Sequence, residues 1–349
     1  MKQMIVRLKN PLALVACVVL AVALVLHAPL AMQGARAALA LCGNVIIPAL
    51  YPFFVIAAIY VQLSGRGRTK YPGAGAMLLG LLGGYPVGAK VVAQLHARGQ
   101  LTQEQAQRLQ LFCVNAGPGF LIGAVGAGML GNRAAGVVVL AALTVGSLLV
   151  GLCVRFVTRG ERLGRPNARV EGGGRPRTVA PTGSLLIAVA QATKSIILVC
   201  GWVVLFGALT SLLQLLPFGW WGAIPYLQML LEVSTGTAAM VNAQASLPML
   251  AAGLAWGGLG VHAQVLGDVK STGLPLWKFW LARLLHGGLA AGLCAVLVRV
   301  FPVHTAVSVA AVAGASMPVR LWAVSAPAGI ALLIFCVFVI LELDLRRKI

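Results

Sequence analysis

The sequence predicts an all-α polytopic membrane protein of about eight transmembrane helices plus two re-entrant helical hairpins, arranged as two internal repeats. Three observations carry this expectation. Of 349 residues, 60% are hydrophobic and 10% are Asp, Glu, Lys or Arg, against about 25% charged residues in a soluble domain. Apolar stretches of about 20 residues, the length that crosses a hydrocarbon core, recur along nearly the whole chain. The third is where the charge lies. Lys and Arg outnumber Asp and Glu by 27 to 7, yet the excess sits at the ends of apolar runs, as in membrane proteins whose basic loops stay in the cytoplasm. Membrane lipids are therefore the expected partners of this charge, and nucleic acid is not.

Taken in order, the apolar segments are about 11–32, 36–64, 73–97, 103–131, 134–157, 184–216, 222–243, 247–269, 276–300 and 321–343. Residues 1–33 imitate a signal peptide but read as an uncleaved first helix, since many spans follow. Lys2, Arg7 and Lys9 precede that helix, and Arg66, Arg68 and Lys70 follow the second segment. Gly, Pro and Arg dominate 158–183, a flexible cytoplasmic linker between a first membrane repeat, 1–157, and a second, 184–349. With Arg346, Arg347 and Lys348 at its end, the chain is expected to keep both termini in the cytoplasm.

Two segments read as hairpins instead of spans. In 73–97, six glycines and Pro86 weaken the helix, and a split at Gly84-Tyr85-Pro86 leaves arms of about 18 Å. Neither arm crosses a core of roughly 30 Å. The same reasoning breaks 247–269 at Gly257–Gly260. A shift of 174 places lays Gly83 and Gly84 on Gly257 and Gly258, the basis for the expected repeat.

Motifs for catalysis or ATP binding are absent, including GxSxG and GxxxxGK[ST]. The seven cysteines form no CxxC pair, and no metal site or cofactor is expected. The remaining chemistry is polar groups and broken helices at membrane depth. Glu232 lies deep in an apolar run, where charge is expensive and marks an ion path, a ligand contact or a fixed pair with Lys90 or Arg283. Ser234 and Thr235 follow it and could unwind the helix. Lys90 either serves a site or snorkels, and His262, beside Gln264, is either a ligand contact or a satisfied interior histidine. Arg283 and His286 share one helix face. Asn115, Gly117 and Pro118 interrupt 103–131 as either a binding-site break or a structural kink.

GGYPVGAKVVAQL followed by QLFCVNAGPGFLIGAVGAGMLG resembles the YlbJ-type sporulation integral membrane proteins, within the nucleoside-recognition, or Gate, domain group. LLEVSTG, GGLGVHAQV and ARLLHGG continue the resemblance in the same order, over roughly 40–300. It implies a bacterial inner-membrane protein with pieces similar to concentrative nucleoside transporters. Two functions stay open. A secondary transporter of a small polar, nucleoside-like solute would use Gly84, Tyr85, Pro86, Asn115, Gly117, Pro118, Glu232, Ser234, Thr235 and His262 as its site. Glu232 would couple the solute to Na+ or H+. A non-transporting scaffold for envelope or spore assembly would use the breaks as packing devices. A homo-oligomer is compatible with either, and no enzyme activity is expected.

Overall fold

The computed structural model describes residues 2–63, 72–157 and 181–303. The Arg66–Lys70 loop, most of the 158–183 linker, the segment 321–343 and the basic end 346–348 lie outside them. Among the described residues every regular element is helical and none is a strand.

Helix α1, Lys2–Leu26, ends at His27, and α2 runs Ala28–Leu41. The first interruption thus falls at His27, not near residues 33–36. Pro29 explains the shift: lacking an N–H, it fits best in a helix's first turn. A widened π-helical turn, Cys42–Ile46, joins α2 to α3, Ile47–Leu63. The widening sits just before Pro48 and Pro52, whose missing donors and ring clashes disturb ordinary helical bonding. Together they make one apolar run of 36 residues, Ala28–Leu63.

Hairpin one is α4, Pro72–Gly83, and α5, Tyr85–Ala97. Gly84 turns the chain with φ +87°, a conformation that favours glycine. Gly80 and Gly88, four residues to either side, let the arms touch: a Cβ on Gly88 would lie 2.8 Å from the Gly80 Cα and overlap the Cys113 carbonyl. Arms of 12 and 13 residues reach about 18–20 Å, so this segment folds back as expected. Helix α6, Gln103–Phe112, opens with a capping box of Thr102 and Gln105. After a non-helical stretch, a widened helix spans Gly119–Met129, and α7 follows at Arg133–Val157.

Beyond the linker, α8 covers Pro181–Ser211 and lies antiparallel to Ala28–Leu63. Gly34 meets Gly207, the Cys42 thiol points at the Cys200 carbonyl, and the Tyr51 hydroxyl lies 3.1 Å from that of Thr193. Short 3-10 turns lead to α9, Ile224–Leu231, and α10, Val233–Asn242. Helices α11, Leu247–Trp256, α12, Gly258–Ser271, and α13, Leu276–Val300, complete the described chain.

The second hairpin is not where the glycine pattern placed it. Segment 222–243, expected as one span, folds back at Glu232, with Gly236 of α10 seated on the Met229 backbone of α9. Segment 247–269, expected as the hairpin, does not fold back. Its arms diverge: α11 packs on α13 and α7, whereas α12 packs on α5, α8 and α9. Gly257 and Gly258, both at positive φ, kink a 25-residue apolar run instead. The order hairpin, broken helix, 25-residue helix therefore occurs at 72–157 and again at 224–300.

Eight spans were expected. Among the described residues, five helical runs are long and apolar enough to cross a membrane: Ala28–Leu63, Arg133–Phe156, Leu185–Leu215, Leu247–Ser271 and Leu276–Val300. Tyr85, Val114, Phe120, Met229, Val233, Leu254 and Phe279, from both sides of the linker, share one buried apolar cluster.

Candidate functional site

Four interrupted helices converge in the middle of the molecule. A Cβ on Gly117 would lie 3.0 Å from the Gly84 nitrogen, which brings the 113–118 break against the first hairpin tip. A Cβ on Gly258 would lie 3.0 Å from the Val233 nitrogen, which brings the α11–α12 kink against the second tip. Tyr85 ties the two sides together, since its hydroxyl donates to the Leu254 carbonyl and its ring lies against Gly257.

Between these breaks lies a cavity of about 40 Å³, room for about three waters. Gly84, Tyr85, Pro86, Gly117, Glu232, Ser234 and Gln264 line it, joined by Phe120, Val233 and Val261. Ile46, Ala49 and Leu50 from the first long run, with Val199 and Val203 from α8, close its side. Seven of the fourteen expected site residues thus meet here; Lys90, Asn115, Pro118, Thr235, His262, Arg283 and His286 do not line it.

Glu232 has neither expected cation beside it. It is buried, with extended backbone (φ −140°, ψ 121°), and its carboxylate caps α10. Oε1 accepts from the Ser234 N–H at 2.9 Å, and Oε2 accepts from the Thr235 N–H at 2.6 Å and the Thr235 hydroxyl at 2.8 Å. A negative group at a helix N-terminus satisfies orphan donors and complements the helix dipole. The break therefore falls at Glu232 itself, and Ser234 and Thr235 stay helical. With three of about four lone-pair sites occupied, the carboxylate keeps one acceptor position. The Ser234 hydroxyl, buried, and the Gln264 amide, half-buried, have no hydrogen-bond partner among the described residues.

Arg283 performs the opposite cap. Fully buried, it donates to the Val114 carbonyl and, at 2.6 Å, to that of Leu111, where α6 ends. A cation there meets the negative end of a helix dipole without any carboxylate. His286 lies 3.4 Å from the guanidinium through Nδ1 and 2.8 Å from the Leu143 carbonyl through Nε2. A neutral ring with the proton on Nε2 satisfies both contacts. His262 bonds the Trp256 carbonyl at 3.0 Å and sits edge-on between Trp256 and Phe279, closing the end of α11. Asn115 holds the 113–118 break by donating to the Phe112 carbonyl at 2.8 Å and the Ser147 hydroxyl at 3.0 Å.

Lys90 donates to the Ser195 hydroxyl, away from the cavity. Gln110 escaped the sequence reading, since it lies in the polar helix α6 with no local motif to mark it as buried. It is buried, and its amide nitrogen reaches the Ala89 carbonyl at 3.0 Å and the Asp268 carbonyl at 3.4 Å.

These breaks coincide with the motifs that carried the family resemblance. The chain is 28% identical over 328 residues to the sporulation integral membrane protein YlbJ of Bacillus subtilis (strain 168), covering 80% of each chain. The chain is YlbJ-like. Neither a protein-family model nor a solved structure matches it. This YlbJ-like chain is an integral membrane protein, with apolar helices of spanning length around the interrupted ones.

Proposed function

We propose that this YlbJ-like chain is a secondary transporter of a small polar solute in a bacterial inner membrane. One observation carries the reading. Two hairpin tips and two helix breaks meet at a cavity that keeps a buried hydroxyl, an amide and one carboxylate acceptor unspent. Polar groups at membrane depth are expensive and mark function, and discontinuous helices meeting near the midplane are how several transporters build a site. Ser234, Gln264 and the open position on Glu232 contact the solute, while Tyr85, Gly84 and Gly117 shape the cavity. A nucleoside-like solute, Na+ or H+ coupling, cytoplasmic termini, a total of about eight spans and a homo-oligomer all belong to this reading. The 40 Å³ cavity is below the roughly 300 Å³ of typical small-molecule pockets, so the breaks must part to admit a nucleoside-sized solute.

The test is a thermal-stability screen of the solubilised full chain against nucleosides, nucleobases and other small polar metabolites, with and without Na+. A ligand at about 100 times its Kd adds about 2.7 kcal/mol. The expected result is a dose-dependent rise that Gln264→Leu with Ser234→Ala removes. A rise equal in both proteins would place the ligand elsewhere.

A scaffold in envelope or spore assembly is the second reading. The observation in its favour is that Glu232, Arg283 and His262 all serve as caps. It expects no stabilising solute and a stable protein partner recovered by pull-down.

A further inference from the structure

Protonating Glu232 would disturb three bonds at the start of α10, which makes it a poor proton carrier. A second pair of charges lies just behind the cavity. Helices α5 and α12 pack on each other. Gln110 bonds the carbonyls of Ala89 and Asp268 together, which brings Lys90, the next residue of α5, close to Asp268 of α12. Each also stands four residues, one helical turn of about 6 Å, beyond a residue that lines the cavity. Lys90 follows Pro86, and Asp268 follows Gln264.

We infer that Lys90 and Asp268 form a proton-binding pair, and that this pair, in place of Glu232, couples proton movement to the solute. The coupling half rests on the transport reading above; proton binding does not. Both side chains are half-buried, so neither is sealed from water. The Lys90 ammonium, with three protons to donate, has only the Ser195 hydroxyl as a hydrogen-bond partner among the described residues, and that hydroxyl in turn donates a hydrogen bond to the Gln191 carbonyl at 2.7 Å. The Asp268 carboxylate accepts no hydrogen bond from a described residue. Asp268 is the strongest charge acting on Lys90, followed by Lys194 of α8, and Lys90 is the charge acting on Asp268. The other charged groups on the packed helices are His96, Glu104, Arg108 and Lys270, with Arg98 just past the end of α5 and Glu232 at the start of α10. The remaining titratable groups there are Tyr85 of α5, His262 of α12, Cys200 of α8 and the tyrosines of α3 and α9. A cavity of about 10 Å³, lined by Lys90, Gln94, Gln191 and Ser195, gives room for about one water beside the ammonium.

The test is pH-difference infrared spectroscopy of the full chain in lipid nanodiscs, with no solute added. The expected result is that, among the carboxylic-acid C=O bands that the chain's seven Asp and Glu residues give on acidification, Asp268→Asn removes one component and Glu232→Gln leaves that component. Lys90→Gln is expected to move the midpoint of that band by about one pH unit or more, since a facing charge at short range has that size of effect. An acidification signal unchanged by Asp268→Asn, or loss of the same component in Glu232→Gln, overturns the inference. Should Asp268→Asn fail to fold, Asp268→Glu decides: an unchanged band and midpoint overturn it, and a displaced band supports it. Because no solute is present, failure here leaves the ligand screen standing, and a failed screen leaves proton binding standing.

Discussion

The two hairpins solve one problem by different means. Each must stop a helix inside the membrane, reverse the chain and start another helix without stranding backbone donors and acceptors. The first does so with glycine: Gly84 makes the turn and Gly80 and Gly88 let the arms touch, with no side-chain cap. The second does so with charge, since extended Glu232 turns the chain and its carboxylate holds the first N–H groups of α10. A glycine tip leaves helix-end groups at the cavity uncovered, whereas a carboxylate tip covers most of its own and leaves one acceptor. The two faces of one cavity are therefore chemically unlike, even though the hairpins have the same shape.

The largest effect is expected where the two hairpins are alike. Gly88→Leu and Gly236→Leu each force a side chain into backbone, and overpacking of a tight contact costs about 3 kcal/mol or more. Both variants are expected to lose the monodisperse peak in size-exclusion chromatography, and tolerance of either would show that its hairpin opens freely. Arg283→Met is next, at about 3 kcal/mol, because it strands the Leu111 and Val114 carbonyls; thermal unfolding measures it. Gly84→Ala tests the glycine tip alone, with about 1–3 kcal/mol of backbone strain expected. Glu232→Ala tests the charged tip at about 1–2 kcal/mol. Glu232→Gln is expected to be milder, about 0.5–1 kcal/mol, since an amide oxygen still caps but meets the dipole without charge. If Gln proves as damaging as Ala in thermal unfolding, charge and not geometry holds the second tip.

The same contrast explains what could be read from the sequence. Gly84-Tyr85-Pro86 and Asn115–Pro118 announce themselves, because Gly and Pro break helices through local geometry. The convergence of those breaks on Glu232, Ser234 and Gln264 followed from the cost of placing polar groups at membrane depth. The second hairpin was hidden, since segment 222–243, around YLQMLLEVSTGTAAM, has the length and apolar character of a plain span. A single carboxylate that prefers capping to pairing is a tertiary choice, as is Gly236 settling on Met229. Gly257-Gly258 misled for the converse reason: two glycines permit a reversal, but packing of α11 on α13 and of α12 on α5 pulls the arms apart. Arg283 was legible as inward-facing, though not as a cap, because its acceptors are carbonyls of another helix some 170 positions away.

The 36-residue run Ala28–Leu63 measures about 54 Å at helical rise, far more than a bilayer's roughly 30 Å of hydrocarbon. It must lean or bend to fit, and its widened turn at Cys42–Ile46 supplies the joint. Ile46, Ala49 and Leu50, at and just after that joint, are also a wall of the central cavity. Membrane thickness therefore reaches the site through the angle of one helix, and lipids with shorter or longer acyl chains reset the position of that wall without touching a polar residue.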